Sequence, residues 1–448
     1  MGLSQKDKLI ALGAGTLADL LIEIASDSES ANNKVHRAIS SQTQNVKLFK
    51  EKLKYYKSDG RRYVPWKHSS SFAREISDLI EDIKVGASNP KEGIQLLFEF
   101  YKTDEPIFNM VDDSSGSVGD VFRYDALELF VQFAKKIPDK TELLNSIIDL
   151  IRNDGYGVRD CLIDEAHRYL NPTELRKMFE LLKNDSKKGS SESNASDWKL
   201  PHLAKQMKDA PLFEKLTRKR LGENINGKFL VEIAEVYFLA GDLNKAQEIL
   251  NQVPENDSFS SYEKNNLQKQ LFKSTGKIDQ LIASLEKDFK DHYSKSTLEE
   301  LLTVVGQDKR EKHCSAAIKD ITANRKWNPS HAEFLTYCEA YDETENYVLR
   351  HAASLDGDRY YSLLPLARVM EENEKHLVAS LIYRALLDSI LRRAKSKIYH
   401  HGVDYLRKLE RLNKNITDWS TFPTHSQYFQ SLKQAHARKS GFWSRYSE

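Results

Sequence analysis

Apolar side chains recur along this chain at intervals of three and four residues. Leu17, Leu20, Leu21 and Ile24 fall at i, i+3, i+4 and i+7, which places them on one face of a helix. Phe72, Ile76, Leu79, Ile80 and Ile83 repeat the pattern, and Leu143, Leu144, Ile147, Ile148 and Ile151 repeat it again before the turn at Gly155-Tyr156-Gly157. Asn89-Pro90 and Asn171-Pro172 each supply a capping side chain and a proline at the first helical position. The first precedes the apolar face of Ile94, Leu97, Phe98 and Tyr101, the second that of Leu175, Met178, Phe179 and Leu182. No segment alternates with the period of two that a half-buried strand requires. The expected fold is all-α.

The pattern lapses over residues 184–201 (NDSKKGSSESNASDWKLP), where Ser, Asn, Asp, Lys and Gly dominate. Such a composition predicts a polar linker or long loop. It separates an N-terminal helical domain, 1–183, from a second helical region. In that region Leu230, Ala234, Tyr237, Gly241, Ala246 and Leu250 stand at the spacing of a tetratricopeptide (TPR) helix pair. The small residues allow close helix approach and Gly241 allows a tight turn. Phe272, Gly276, Leu281 and Leu285 give a degraded copy. Leu363, Ala367, Met370, Ala379 and Tyr383 give a third, with Glu374 where the glycine belongs. The expected architecture is a TPR- or HEAT-like α-solenoid over 202–412, followed by a basic, aromatic-rich helical cap over 413–448.

Composition agrees with long helices. The 448 residues hold only 19 Gly and 11 Pro, fewer than a many-turned β fold needs. Three cysteines, Cys161, Cys314 and Cys338, stand far apart in sequence and form neither a disulfide framework nor a zinc signature. With no secretory h-region and no apolar run near the ~20 residues of a membrane span, a cytoplasmic location is expected.

Several short motifs resemble sites of known chemistry and lack the rest of the pattern. Gly13-Ala14-Gly15-Thr16-Leu17-Ala18 fits G-x-G-x-x-A, but no strand ending in an acid follows about twenty residues on, so a break between helices is the reading. Ser274-Thr275-Gly276-Lys277 has Leu271 and Ile278 where a phosphate loop needs Gly and Ser or Thr. The stretch Asp112–Asp120 lacks the ligand register of a calcium loop. His313-Cys314 are neighbours in sequence, which on a helix turns them to different sides. No cofactor, metal or catalytic group is expected.

The C-terminal charge changes the picture. From Ile390 to Glu448 there are twelve Lys/Arg against four acids, a local excess of +8 in a chain whose net charge is +1. Aromatic residues lie among them, including Tyr399, Trp419, Tyr428 and Phe429. Bases interleaved with aromatics can hold anions and stack on bases. The candidate partner- or anion-binding residues are His400, His401, Arg407 and Trp419, with His425, His436, Arg438 and Lys439. A second run, Lys47–Arg74, carries nine Lys/Arg against Glu51 and Asp59.

LIALGAGTLADLLIEIA near the start, NDGYGVRDCLIDEA in the middle, and the C-terminal stretch from LVASLIYRALLDSILRR to KSGFW together resemble a family of uncharacterised bacterial helical proteins. Some of its relatives carry a SWIM-type zinc finger. The C-x-C and C-x-H pairs of that finger are absent here, so its zinc does not carry over. The resemblance implies a helical-repeat fold and no defined activity. The leading expectation is a non-enzymatic scaffold that binds a protein or peptide; the alternative is a nucleic-acid-associated protein using the basic C-terminal segment.

Overall fold

The computed structural model describes residues 4–58, 63–152, 154–185, 193–222, 225–255, 257, 260–324 and 326–447. Helices account for nearly all the regular structure of these residues, which contain no β-strand and one isolated bridge between Val64 and Val111. No described helix is long and apolar enough to cross a membrane. The chain divides into two compact units, 1–268 and 269–448.

In the first unit the stripes foreseen from periodicity meet in one core. Ile76, Leu79, Ile83, Ile147 and Met178 are buried there, with Phe49 at one end and Leu203 at the other. The two Asn-Pro starts cap as expected: the Asn89 and Asn171 side chains accept from the backbone N–H of Glu92 and Glu174, at 3.0 and 2.9 Å. Buried charge in this core is paired. The Arg159 guanidinium grips Asp104 with Nε and Nη2, at 2.9 and 2.5 Å, and Nη1 donates to the Leu150 carbonyl at 2.8 Å.

Two expectations meet a different local structure. The stretch 184–201 is not linker or loop along its whole length. Residues 186–192 of that stretch lie outside the described residues, and 193–201 form the first part of a helix, Ser193–Gln206. Its Leu200 and Leu203 enter the first core, and Lys199 pairs with Asp160 at 2.8 Å. Two leucines and one buried ion pair anchor a segment that its composition alone reads as a loop. The second change concerns Leu17, Leu20, Leu21 and Ile24: helix Ala14–Asp27 buries none of its residues. Its face is apolar, and among the described residues the hairpin partner Glu29–Ile39 is the one helix that packs on it appreciably.

Five helix pairs share one turn. Lys208, Gly241, Gly276, Glu339 and Glu374 all have positive φ, between 56° and 88°. In each pair the next residue's N–H reaches back five residues, for instance Asp242 to Tyr237 O at 3.0 Å and Lys375 to Met370 O at 2.8 Å. This is the Schellman closure, which satisfies carbonyls that the helix end would leave open. Glu374, the residue standing where the repeat pattern wants glycine, therefore adopts the glycine conformation. A side chain there costs about 1 kcal/mol. Glu374 is exposed, so Glu374→Gly should stabilise the protein by about that amount in thermal melting; an unchanged or lower melting temperature would show that the left-handed turn carries no strain.

The second unit has its own core, from Leu281 to Phe442. It also corrects the picture of isolated cysteines. Cys314 and Cys338, 24 positions apart, lie with their sulfurs 2.9 Å from each other, both as free thiols.

Candidate functional site

The helix His376–Arg393 runs through the centre of the second core. Its sequence LVASLIYRALLDSIL is so apolar that nearly every side is buried, from Val378 to Leu391. Ser380 and Arg384 are carried inside with it, while Asp388 stands exposed. Ser380, Arg384 and Asp388 follow at intervals of four, one above the other on a single face. Residues 414–424 and the helix His425–His436 pack against that face.

Arg384 is only 6% exposed. Its guanidinium carbon sits 4.4 Å from the Trp419 ring centre and 4.6 Å from that of Tyr428. Nη1 donates to the Pro423 carbonyl at 2.8 Å. Nε and Nη2 are buried without a hydrogen-bond partner, as are Ser380 Oγ and His425 Nδ1. Among the described residues no carboxylate lies within ion-pair distance of Arg384, the nearby charge being that of Asp388. Burial pushes its pKa down to about 10, still charged at neutral pH. Burial likewise holds the His425 imidazole below its usual range, with Arg384 adding to the effect. His436 is lowered by burial and by Lys439. Asp388 accepts from the Tyr428 hydroxyl at 2.7 Å, and desolvation raises its carboxyl above the ordinary range.

Comparison with Arg159 shows what the arrangement is suited to hold. In both residues Nη1 is fixed by a backbone carbonyl at 2.8 Å. In Arg159 the other edge, Nε with Nη2, takes the two oxygens of Asp104. In Arg384 the same edge has no partner. Side-on bidentate pairing to a carboxylate is the geometry for which a guanidinium is built. The nearby Asp388 disfavours a ligand of high negative charge, which leaves a single carboxylate as the best match.

Of the residues singled out from sequence, Trp419, His425 and His436 gather around Arg384 and Asp388. His400 and His401 do not join them: both are exposed on the helix Tyr399–Asn413, with ring centres 3.9 Å apart. Arg407 is exposed beside the Tyr446 phenol, Arg438 is exposed, and Lys439 is half-buried near His436. Part of the basic excess is already matched, since Lys408 and Arg411 bind Glu371 and Arg392 binds Asp358. The sequence reading missed Arg384 itself. Its signal is a lone arginine and a lone aspartate, four apart, inside a long apolar helical run.

The other motifs are structural here. Gly276 makes the turn between helices Ser261–Ser274 and Ile278–Asp291. Asp113 accepts from the backbone N–H groups of Val118 and Gly119, both at 2.9 Å, and so caps a short helix. Among the described residues no group of three or more His, Cys, Asp or Glu is placed to hold a metal ion.

Against known proteins, the chain matches the model of a family described as "Family of unknown function (DUF6880)", twice in tandem, over residues 3–227 and 222–445. No curated protein and no solved structure matches it. The two copies end alike. Helices Pro172–Asp185, Ser193–Gln206 and Ala210–Leu221 close the first; Tyr399–Asn413, His425–His436 and Ser440–Ser447 close the second. Leu203 and Phe213 on the closing helices of the first, and Leu432 and Phe442 on those of the second, are all buried. Where Lys199 meets Asp160 in the first copy, Tyr428 meets Asp388 in the second.

Proposed function

The chain belongs to the family of unknown function DUF6880, and we propose that this member is a non-enzymatic helical scaffold that captures a protein or peptide partner by a carboxylate at Arg384. The observation that carries the reading is the unpartnered Nε and Nη2 edge of a buried guanidinium, set beside an otherwise matching arginine whose edge holds Asp104. A buried charge left without a counter-ion costs stability. Such a cost persists where binding needs the group.

Access runs through residues 414–424. Trp419 covers the guanidinium, and the next residue, Ser420, has a positive φ of 50°, a strained conformation for a side-chain-bearing residue. Opening of this segment relieves that strain and exposes the donor edge; a carboxylate then supplies the missing partner. Within the second unit the helix pairs Pro329–Arg350 and Tyr360–Arg393 support a TPR-like frame, which would present its partner to successive helix faces. The free thiols of all three cysteines support a reducing cytoplasm as the compartment.

Calorimetric titration of the full chain tests the reading with three probes: a short glutamate-rich peptide, its glutamine counterpart and a single-stranded oligonucleotide. The glutamate peptide should bind at least about tenfold more tightly than the glutamine one, and Arg384→Met should abolish the difference. Because His425 and His436 are held neutral, affinity should stay flat from about pH 7 to 9. Equal binding of the peptide to the Arg384→Met protein would overturn the carboxylate reading. Binding of the oligonucleotide alone, falling steeply with salt, would replace it with the nucleic-acid alternative.

A further inference from the structure

The helix Ala14–Asp27 is apolar along much of its length and yet exposed except at Leu17 and Ala25, which are half-buried. Leu21 and Ile24 are 51% and 55% exposed, Ile22 more so, and Ile10 and Leu12 just before it are exposed as well. Among the described residues, its hairpin partner Glu29–Ile39 is the one helix that packs on it appreciably. Contiguous apolar surface of this kind marks a site of association.

The chain itself shows how such a helix is covered. Near the start of the second family copy stands Gly227–Ala240, also 14 residues long and also the first arm of a helical hairpin. Its Leu230-Val231-Glu232-Ile233 reads like Leu17-Ala18-Asp19-Leu20. Unlike its counterpart it buries Leu230, Ile233, Ala234 and Tyr237. Helix Ala210–Leu221, at the end of the first copy, packs on it. The Tyr237 hydroxyl donates to Glu214 at 2.7 Å, and Lys205 of the preceding helix reaches Glu232 and Glu235 at 3.3 and 3.1 Å. The junction thus joins the basic end of one copy to the acidic, apolar start of the next.

We infer that the face of Ala14–Asp27 docks the C-terminal helices His425–His436 and Ser440–Ser447 of a second copy of this chain, repeating between molecules the junction that links the two family copies within one. Charge favours this occupant. Ala14–Asp27 carries Asp19, Glu23 and Asp27 and no base, while residues 425–447 carry Lys433, Arg438, Lys439 and Arg445 and no acid. Lys433 follows the buried Leu432 by one position, as Lys205 follows the buried Leu203 by two. The contact is heterologous, head to tail, so it extends into short chains of molecules as concentration rises rather than stopping at a dimer.

Sedimentation velocity on the full protein and two variants tests this. A head variant, Leu21→Lys with Ile24→Lys, changes side chains that bury nothing and so should leave the fold intact. A tail variant, Lys433→Glu with Arg438→Glu, reverses the opposing charge. The unaltered protein should grow in mean mass across micromolar concentrations, and either variant alone should associate at least about tenfold more weakly. The two variants mixed should form a one-to-one dimer that grows no further, because each retains the surface the other lacks. A strictly monomeric parent protein would overturn the inference. So would a tail variant that dimerises by itself, since that would mean Ala14–Asp27 pairs with its own copy, and so would a mixture that stays monomeric.

Discussion

Arg384→Met should make the folded protein more stable, by about 1–4 kcal/mol in urea unfolding, while removing carboxylate capture. Methionine fills similar volume and brings no charge into a site where two guanidinium nitrogens find no acceptor. Against this gain stand the Pro423 hydrogen bond and the stacking on Trp419 and Tyr428. Stacked cations contribute about 2 kcal/mol or more each when desolvated, so full strength in both contacts would cancel the gain, and a net increase requires stacking nearer the weaker value of about 0.5–1 kcal/mol each. A gain in stability coupled to a loss of binding is the signature of a group kept for its ligand. If the substitution instead destabilises the protein, Arg384 is a structural strut and the proposed site loses its basis.

The opposite result is expected at Asp104. It is fully buried, and Asp104→Ala should cost about 3–5 kcal/mol because it strands the Arg159 charge inside the first core. The double change, Asp104→Ala with Arg159→Met, should recover a large part of that loss, giving a strong coupling in a double-mutant cycle. Burial raises the Asp104 carboxyl above its ordinary value, although Arg159 pulls it down. A carboxyl raised on folding binds its proton more tightly in the folded state. Its own contribution therefore grows as pH falls through the folded value and is lost as pH rises above it. A double variant that loses the sum of the two single losses would show that the pair is not coupled. The contrast between the two sites is direct: one arginine with its carboxylate in place, one without.

The helices and many of their ends were legible in the residues. Periodicity placed the buried stripes at Ile76–Ile83 and Leu143–Ile151, and Asn-Pro pairs marked two helix starts that cap as read. The spacing of Gly241, Gly276 and Glu374 located three turns of one kind, and the structure shows a left-handed residue at each. Two further turns of that kind, at Lys208 and Glu339, escaped because nothing about Lys or Glu announces a left-handed backbone. The candidate site was half visible. Trp419, His425 and His436 were named from composition, and they do lie together; Arg384, which organises them, was hidden in an apolar helix where a charge invites no attention.

What the amino-acid order determined by itself is whatever depends on neighbours along the chain: helical period, caps, the sites of turns, the segregation of charge toward the C-terminal end. What only the tertiary structure decided is which of those faces meet. Leu17–Leu20 and Leu230–Ile233 carry nearly the same pattern, yet the first buries no residue and the second does, because among the described residues only the second has a helix laid across it besides its hairpin partner. Cys314 and Cys338, 24 positions apart, come within 2.9 Å, and among the described residues the Nε and Nη2 of Arg384 meet no acceptor while those of Arg159 meet Asp104. Burial and pairing belong to two surfaces at once, and a local pattern describes only one of them.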